Sequence, residues 1–330
     1  MVKYLPSDFK KIAVERQKDV GKVLRIIDSK TSLNDKISFL KEYLNSLQPI
    51  ESLSEKYKNK EQKIDVIRIS IRTHSRDLPM LIYKPTESNA LLPVVYHIHG
   101  GGFLSGDVQG GSQTMLSLAK RTNSIIVDIN YGLSPVHSLS QSVEDCHEGL
   151  VWINKNYAKF DIDKNKVVVI GESAGGGLAA SLAIKERDLN GPKIKSLFLI
   201  APMLDHRNIT PSSYKFDSDW PFWPRTFNII AWQSVLLNKP ESDDFFPYAS
   251  PYMVKNLSNL PPTYIEVGNL EVFRDEAMDF ATRMMQQGSL VELHVYPEIF
   301  HTFEYEAPQS NITKNILEIR LKSLENALKH

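Results

Sequence analysis

A serine lies between two glycines in residues 171–175, which read Gly-Glu-Ser-Ala-Gly. A hydroxyl is a weak nucleophile at neutral pH, so a catalytic serine must lie beside a base and be presented clear of the backbone. The apolar residues 167–170 predict a buried strand and residues 178–184 predict a helix, with the glycines allowing a tight turn between them. This context favours Ser173 as the nucleophile of a serine hydrolase. The alternative is a glycine turn of another strand-helix unit that contains a serine.

A second motif, His-Gly-Gly-Gly-Phe, occupies residues 99–103 after the predicted strand 94–98. Acyl transfer develops negative charge on the carbonyl oxygen, and backbone N–H groups freed by glycines can point at that oxygen without obstruction. We therefore predict an oxyanion hole formed by the N–H groups of Gly101, Gly102 and Ala174. The histidine of the motif is expected to brace the loop through a hydrogen bond. The alternative is a flexible loop.

The candidate base is chosen from nine histidines. His301 follows the last predicted strand, residues 291–296, after a short loop at 297–300, and sites form at the carboxyl ends of strands in such folds. It also comes last in the chain order Ser, acid, His that is typical of this chemistry. His294 and His97 lie inside predicted strands, so we expect structural roles for them.

Two carboxylates that follow the predicted strand 262–267 compete for the third role. The acid must hold the tautomer of the histidine and stabilise the imidazolium that forms. Asp275 falls in the first turn of the next predicted helix, where a carboxylate also stabilises the helix N-terminus. Glu271 lies four residues earlier, in the loop. Residue types alone leave both candidates open.

The two glycine motifs, in this order and spacing, resemble those of the hormone-sensitive-lipase-like family of α/β-hydrolase esterases. Residues 131–135, 144–146 and 269–276 are similar to three further segments of that family, namely Tyr-Arg-Leu-Ala-Pro, Glu-Asp-Cys and the segment that carries the acid. The family's usual Arg, Ala and Glu are replaced here by Gly132, Ser134 and Val136.

The resemblance spans about residues 66–301. It implies an α/β-hydrolase fold and a small-molecule ester substrate with a short to medium acyl chain. No His, Cys or carboxylate cluster has the spacing of zinc ligands, so we expect no metal, and we expect no cofactor. It places the acid at Glu271, where the family usually has Asp, and leaves Asp275 as the alternative. The same triad would also serve an amidase, an arylformamidase or a lactonase, because the tetrahedral chemistry is shared. A ligand-binding homologue without catalysis would keep the pocket and usually lose a triad member.

The elements around these residues predict an α/β fold. Short apolar runs recur between residues 93 and 296 with helix-length segments between most of them, which is typical of a parallel sheet. We expect a mostly parallel central sheet flanked by helices. Residues 67–72 alternate between apolar and polar and predict a strand, with 78–84 as its antiparallel partner. Ile64 and Val66 fall in the opposite phase, so this strand is expected to start at 67 or to carry a bulge.

The same sequence divides into an α/β-hydrolase core and a helical cap. Residues 61–202 and 260–330 are expected to form the core, residues 1–60 to form helices of the cap, and residues 203–259 to form a cap insertion rich in aromatic side chains. Aromatic surfaces over a cleft bury apolar groups well. The candidates for the substrate pocket are Phe103, Trp220, Phe222 and Trp223.

Composition argues against several other classes of protein. Lys and Arg total 39, as do Asp and Glu, so the net charge gives no indication of a nucleic-acid partner. No apolar run approaches the roughly 18 residues of a membrane span, and the N-terminus lacks the apolar region of a signal peptide. Cys146 is the only cysteine, so we expect a cytoplasmic location. The resemblance also favours a homodimer.

Overall fold

The computed structural model describes residues 5–47, 63–73, 76–88, 90–108, 112–217, 220–237 and 246–329. The strands are β1 (Ile64–Arg72), β2 (Asp77–Pro85), β3 (Leu92–Ile98), β4 (Ile125–Ile129), β5 (Ile162–Glu172), β6 (Ser196–Ile200), β7 (Thr263–Leu270) and β8 (Val291–Phe300). The helices are α1 (Ser7–Ser29), α2 (Leu33–Ser46), α3 (Ser112–Thr122), α4 (Leu139–Lys155), α5 (Ala174–Leu189), α6 (Pro211–Lys215), α7 (Arg225–Leu236), α8 (Phe246–Ala249), α9 (Arg274–Gln286), α10 (Phe303–Glu306) and α11 (Asn311–Lys329). In these ranges, no helix combines the length and the apolar character needed to cross a bilayer.

The strands form one eight-stranded sheet in the order β1-β2-β4-β3-β5-β6-β7-β8. β2 pairs antiparallel with both β1 and β4, and all pairs from β4 to β8 are parallel. The predicted α/β-hydrolase fold, with a mostly parallel sheet, is therefore confirmed. All carboxyl ends of the parallel strands lie along one edge, where the loops that carry functional residues emerge.

Both faces of the sheet are covered, which explains why the central strands are apolar throughout. In β5, Val167 and Val169 pack into the larger core with α4, α5 and the N-terminal helices. Val168 and Ile170 point the other way, into a smaller core closed by α3 and α11. A parallel strand buried on two sides reads as a continuous apolar run rather than an alternating one.

β1 differs from its prediction. It starts at Ile64 and pairs with β2 without a bulge over its full length. Ile64 and Val66 face the smaller core, whereas Ile67, Ile69 and Ile71 face the larger one. The apolar phase therefore changes because the two ends of this edge strand are covered on different faces, and the predicted start at residue 67 is wrong.

The segment between β6 and β7 contains α6, α7, α8 and a 3-10 turn at Pro251–Met253, with no strand among its described residues. α7 packs against α2, where the rings of Tyr43 and Phe227 lie 6.0 Å apart in a T-shaped contact. The N-terminal helices thus adjoin the predicted insertion, and the division into core and cap stays a prediction. Residues 1–4, 48–60, 218–219 and 238–245 of the predicted cap regions lie outside the described residues.

Asp145 of α4 supports the chain that follows β4. Its buried carboxylate accepts a hydrogen bond from the Gly132 N–H at 2.8 Å, and the Arg76 guanidinium lies 3.7 Å away. Burial raises the pKa of Asp145 from its ordinary value of 3.8 to about 6, although Gly132 and Arg76 act in the opposite direction. The folded protein therefore holds a proton here at pH values where the unfolded chain has released it.

We expect Asp145→Asn to gain stability relative to the wild type as the pH rises. Between about pH 4 and pH 6 the folded wild type binds more protons than the unfolded chain, so its free energy of unfolding falls as the pH rises. Each pKa unit is worth about 1.4 kcal/mol, so the difference between variant and wild type should grow by about 2 to 3 kcal/mol. Urea unfolding of both proteins across this range measures the effect. The exposed Asp65→Asn is the control, and a difference for Asp145→Asn that is constant with pH contradicts the argument.

Candidate active site

Ser173 lies at the turn between β5 and α5. Its φ of 54° falls in the left-handed region, which costs free energy for a residue with a Cβ and persists where the surroundings fix it. Both neighbouring glycines meet backbone atoms. A Cβ on Gly171 would lie 2.2 Å from the Gly175 carbonyl oxygen, and one on Gly175 would lie 2.1 Å from that of Ile98. The motif therefore forms the strand, turn and helix that its sequence predicts.

His301 follows β8 directly. The predicted loop at residues 297–300 is wrong, because β8 continues to Phe300 with one shift in its register against β7. Phe300 is buried and stacks on the ring of Phe222 at 3.6 Å, which keeps this last stretch of the strand in place. The result is that His301 Nε2 lies 3.0 Å from Ser173 Oγ.

Glu271 is the carboxylate that contacts this histidine. Its Oε2 lies 2.8 Å from His301 Nδ1, and its Oε1 accepts a hydrogen bond from the Gly268 N–H. The side chain is 1% exposed, so both of its oxygens interact in a site with little water. A carboxylate in this position fixes the imidazole with Nε2 directed at the serine hydroxyl.

Asp275, the alternative acid, is engaged elsewhere. Its Oδ2 accepts a hydrogen bond from the Ser212 N–H at 2.6 Å, and its Oδ1 accepts one from Arg274 Nε at 2.7 Å. Burial acts to raise the pKa of Asp275, but these hydrogen bonds hold it below its usual value. The structure therefore brings Glu271 to His301 and uses Asp275 at the start of α9.

The glycine motif after β3 forms a tight loop. Gly101 has a φ of 109° and Gly102 a φ of 61°, conformations that glycine adopts without steric cost. A Cβ on Gly101 would lie only 2.0 Å from the Ser105 carbonyl oxygen, which is closer than these two atoms can approach. Both glycines line the cavity beside the serine, and α5 begins at Ala174, where helix N–H groups have no partner within the helix.

Two aromatic rings brace this loop. His99 Nδ1 lies 2.8 Å from the Gly100 carbonyl oxygen, which is the bracing contact that the motif predicts. The Tyr131 hydroxyl donates to the His99 carbonyl oxygen at 3.0 Å, and the two rings stack at 4.3 Å. Burial lowers the pKa of His99, so the ring is neutral at physiological pH. The glycines of the loop are therefore held by the His99 ring, which itself lines part of the cavity, and by Tyr131, which does not.

A cavity of about 470 Å³ opens beside Ser173. Phe222 and Trp223 line it, together with Tyr43 of α2 and Phe227 of α7. Tyr43 and Phe227 are missing from the predicted pocket because their position depends on how α2 packs against α7. The aromatic content of the segment between β6 and β7 is a signal for Phe227, whereas no local signal exists for Tyr43.

Phe103 and Trp220, both predicted pocket residues, lie in the core instead. Phe103 is 1% exposed and packs on Trp232 with ring centres 5.2 Å apart. Trp220 is fully buried between Phe216 and Phe222, at 4.9 and 5.7 Å. Neither side chain lines the cavity. The pocket assignment of these two residues is thus corrected, because their apolar surface is used to pack neighbouring aromatic rings.

Another histidine pairs with a carboxylate on the α3 and α11 side of the sheet. His97 Nδ1 of β3 lies 2.8 Å from Asp128 Oδ1 of β4. Burial acts to lower the pKa of His97, but Asp128 outweighs it and the pKa is raised. This contact agrees with a structural role for a histidine inside a strand. Over the described part of the chain, no three His, Cys, Asp or Glu side chains cluster closely enough to hold a metal ion.

Comparison with known proteins identifies a family and several related proteins that are named esterases. Residues 95–305 match the family described as alpha/beta hydrolase fold, a stretch that includes both glycine motifs, Glu271 and His301. The chain is 27% identical to esterase LipI of Mycobacterium tuberculosis over 86% of each chain. Among solved structures it is similar to bacterial heroin esterase, with a TM-score of 0.79, 27% identity and coverage of 91% of this chain and 93% of that one. Esterase LipW of Mycobacterium marinum gives a TM-score of 0.78 at 25% identity, covering 100% and 98% of the two chains.

We expect Gly101→Ala to reduce catalysis sharply. The new Cβ cannot be accommodated at 2.0 Å from Ser105, so the loop must move and carry its N–H groups away from the cavity. Loss of one oxyanion donor typically costs about 100- to 1000-fold in kcat. Hydrolysis of p-nitrophenyl acetate measures it. Gly288→Ala is the matched control, because Gly288 also has a positive φ, of 88°, and nothing within 4 Å of its Cβ position. Equal activities of the two variants contradict the assignment.

Proposed function

This chain belongs to the hormone-sensitive-lipase-like carboxylesterases of the α/β-hydrolase fold, and from that premise we propose that it hydrolyses carboxylic esters with Ser173, His301 and Glu271. The observation that carries the proposal is the pair of contacts at His301, 3.0 Å from Nε2 to the serine and 2.8 Å from Nδ1 to the carboxylate. A serine beside a base that a third group orients is the arrangement that activates a hydroxyl.

The reaction proceeds in two acyl transfers. His301 takes the proton as Ser173 Oγ attacks the ester carbonyl, and the same proton passes to the departing alcohol. The N–H groups of Gly101, Gly102 and Ala174 stabilise the negative charge on the carbonyl oxygen. Water then attacks the acyl-enzyme with His301 again as base, which releases the acid and restores the serine.

Esters with short to medium acyl chains are the proposed substrates. The apolar wall of Phe222, Trp223 and Phe227 suits the burial of an acyl or alcohol group. The relatives named esterase support an ester over an amide or a lactone. The presence of a nucleophile, a base and an acid in contact argues against a binding protein that has lost catalysis. A homodimer and a cytoplasmic location remain predictions from the sequence.

Ser173→Ala should lose about 10⁶-fold in kcat, as expected when a triad nucleophile is removed. A fluorophosphonate probe should label the wild type and leave this variant unlabelled, because the probe reacts with an activated serine. Hydrolysis of p-nitrophenyl acetate and butyrate gives the second readout. Ser181→Ala, in the same helix α5, is the control that keeps both labelling and turnover. Labelling of folded Ser173→Ala protein would remove Ser173 from the mechanism.

Glu271→Gln should cost on the order of 10⁴-fold in kcat, since an amide can no longer stabilise the imidazolium or fix its tautomer. Asp275→Asn should retain activity within about tenfold, because its amide oxygen can still accept from the Ser212 N–H. Steady-state kinetics of the two variants on the same ester compares them directly. The reverse ranking would make Asp275 the acid of the triad.

A further inference from the structure

Trp223 has an unusual backbone conformation for so large a residue. Its φ is 54°, in the left-handed region that bulky side chains rarely adopt. The residue lies in the segment between β6 and β7, directly before the N-terminus of α7. Strained conformations persist where neighbouring contacts determine them, and they occur preferentially at functional sites. The contacts of its indole indicate the role of this conformation.

The indole is held by a hydrogen bond and by a ring contact. Its Nε1–H donates to Asn228 Oδ1 at 3.1 Å, and Asn228 is 1% exposed. Asn228 in turn donates to Asn208 Oδ1, and the main-chain carbonyl oxygen of Asn208 accepts two hydrogen bonds of 3.1 Å from Arg225. Phe227 packs against the ring edge-on, with centres 6.1 Å apart. The indole is thus a fixed surface rather than a mobile side chain.

The indole lies between the glycine loop of residues 99–103 and His301. A Cβ on Gly102 would come within 2.3 Å of Trp223 Cη2, so ring and loop are already in contact. The ring centre lies 6.1 Å from that of His301. Gly102, Trp223 and His301 all line the same cavity as Ser173. A group attached to the reacting carbonyl carbon therefore meets the indole within a few atoms.

We propose that Trp223 limits the length of the acyl group, an inference that rests on the proposed esterase function. In the reacting complex the leaving oxygen must lie within hydrogen-bond reach of His301 Nε2, since it receives the proton there. The carbonyl oxygen faces the glycine loop. The indole touches Gly102 of that loop, whereas its ring centre is 6.1 Å from that of His301, so we assign the substituent beside the indole as the acyl group. Acetyl and other small acyl groups fit, and longer chains meet the ring.

The test compares p-nitrophenyl acetate with p-nitrophenyl octanoate in the wild type, Trp223→Phe and Trp223→Ala. The ratio of kcat/KM for octanoate to that for acetate should rise about tenfold or more in Trp223→Ala, with Trp223→Phe in between, because each methylene that finds room contributes severalfold. This ratio does not depend on how much of the protein is folded, so a destabilised variant cannot imitate the result.

Trp152→Ala is the matched control. Trp152 is in α4, packs on Phe160 with ring centres 5.4 Å apart, and does not line the cavity. The same loss of an indole there should leave the ratio within about twofold of the wild type, since the volume it opens is not available to substrate.

A second series varies the alcohol of acetate esters from methyl to octyl. Selectivity in this series should be the same in the wild type and Trp223→Ala. An unchanged acyl ratio, or a change confined to the alcohol series, overturns the inference and leaves the esterase function intact. A wild type that hydrolyses none of these esters and resists fluorophosphonate labelling overturns the proposed function itself. The two failures are therefore distinguishable.

Discussion

The ends of β3 and β5 touch backbone to backbone at the proposed active site, and the site depends on that contact. A Cβ on Gly175 would lie 2.1 Å from the Ile98 carbonyl oxygen, and one on Gly100 would lie 3.1 Å from that of Glu172. Glycine at both positions lets the end of β3 and the start of α5 approach closely. The glycine loop follows β3 and Ser173 follows β5 at this point, so the proposed oxyanion donors and the proposed nucleophile face one cavity.

The proposed base and acid follow the two strands at one side of the sheet, and three charged side chains of low exposure connect the elements beside them. Arg320 of α11 donates to Glu304 of α10 at 3.0 Å and to Glu266 of β7. β7 leads to Glu271, and α10 follows His301. Arg320 pairs with both carboxylates, so its removal would leave two acidic side chains of low exposure without this partner. The last helix of the chain thus supports the site without lining the cavity.

How much the sequence predicts depends on whether the determining contacts are local. The serine turn and the glycine loop are each formed by one short stretch of sequence. Their flanking strands and helix lie where the apolar runs predict them. Glu271 and Asp275 follow the same strand, so only their partners in three dimensions separate them. The prediction of Phe103 and Trp220 as pocket residues is wrong because an aromatic side chain suits a core and a cavity wall equally well. The limits of β1 and β8 likewise depend on what covers each face of an edge strand.

β8 is the outermost strand on its side, its single neighbour in the described sheet is β7, and it ends at the residue before His301. A strand paired on one side opens at a lower free energy than the central strands of the same sheet. Loss of the Phe300 contacts would therefore free the end of β8, and the imidazole with it, while β5 and Ser173 remain folded. In the proposed mechanism, activity therefore depends on the stability of this edge of the sheet, and heat should inactivate the protein below the temperature at which the core melts.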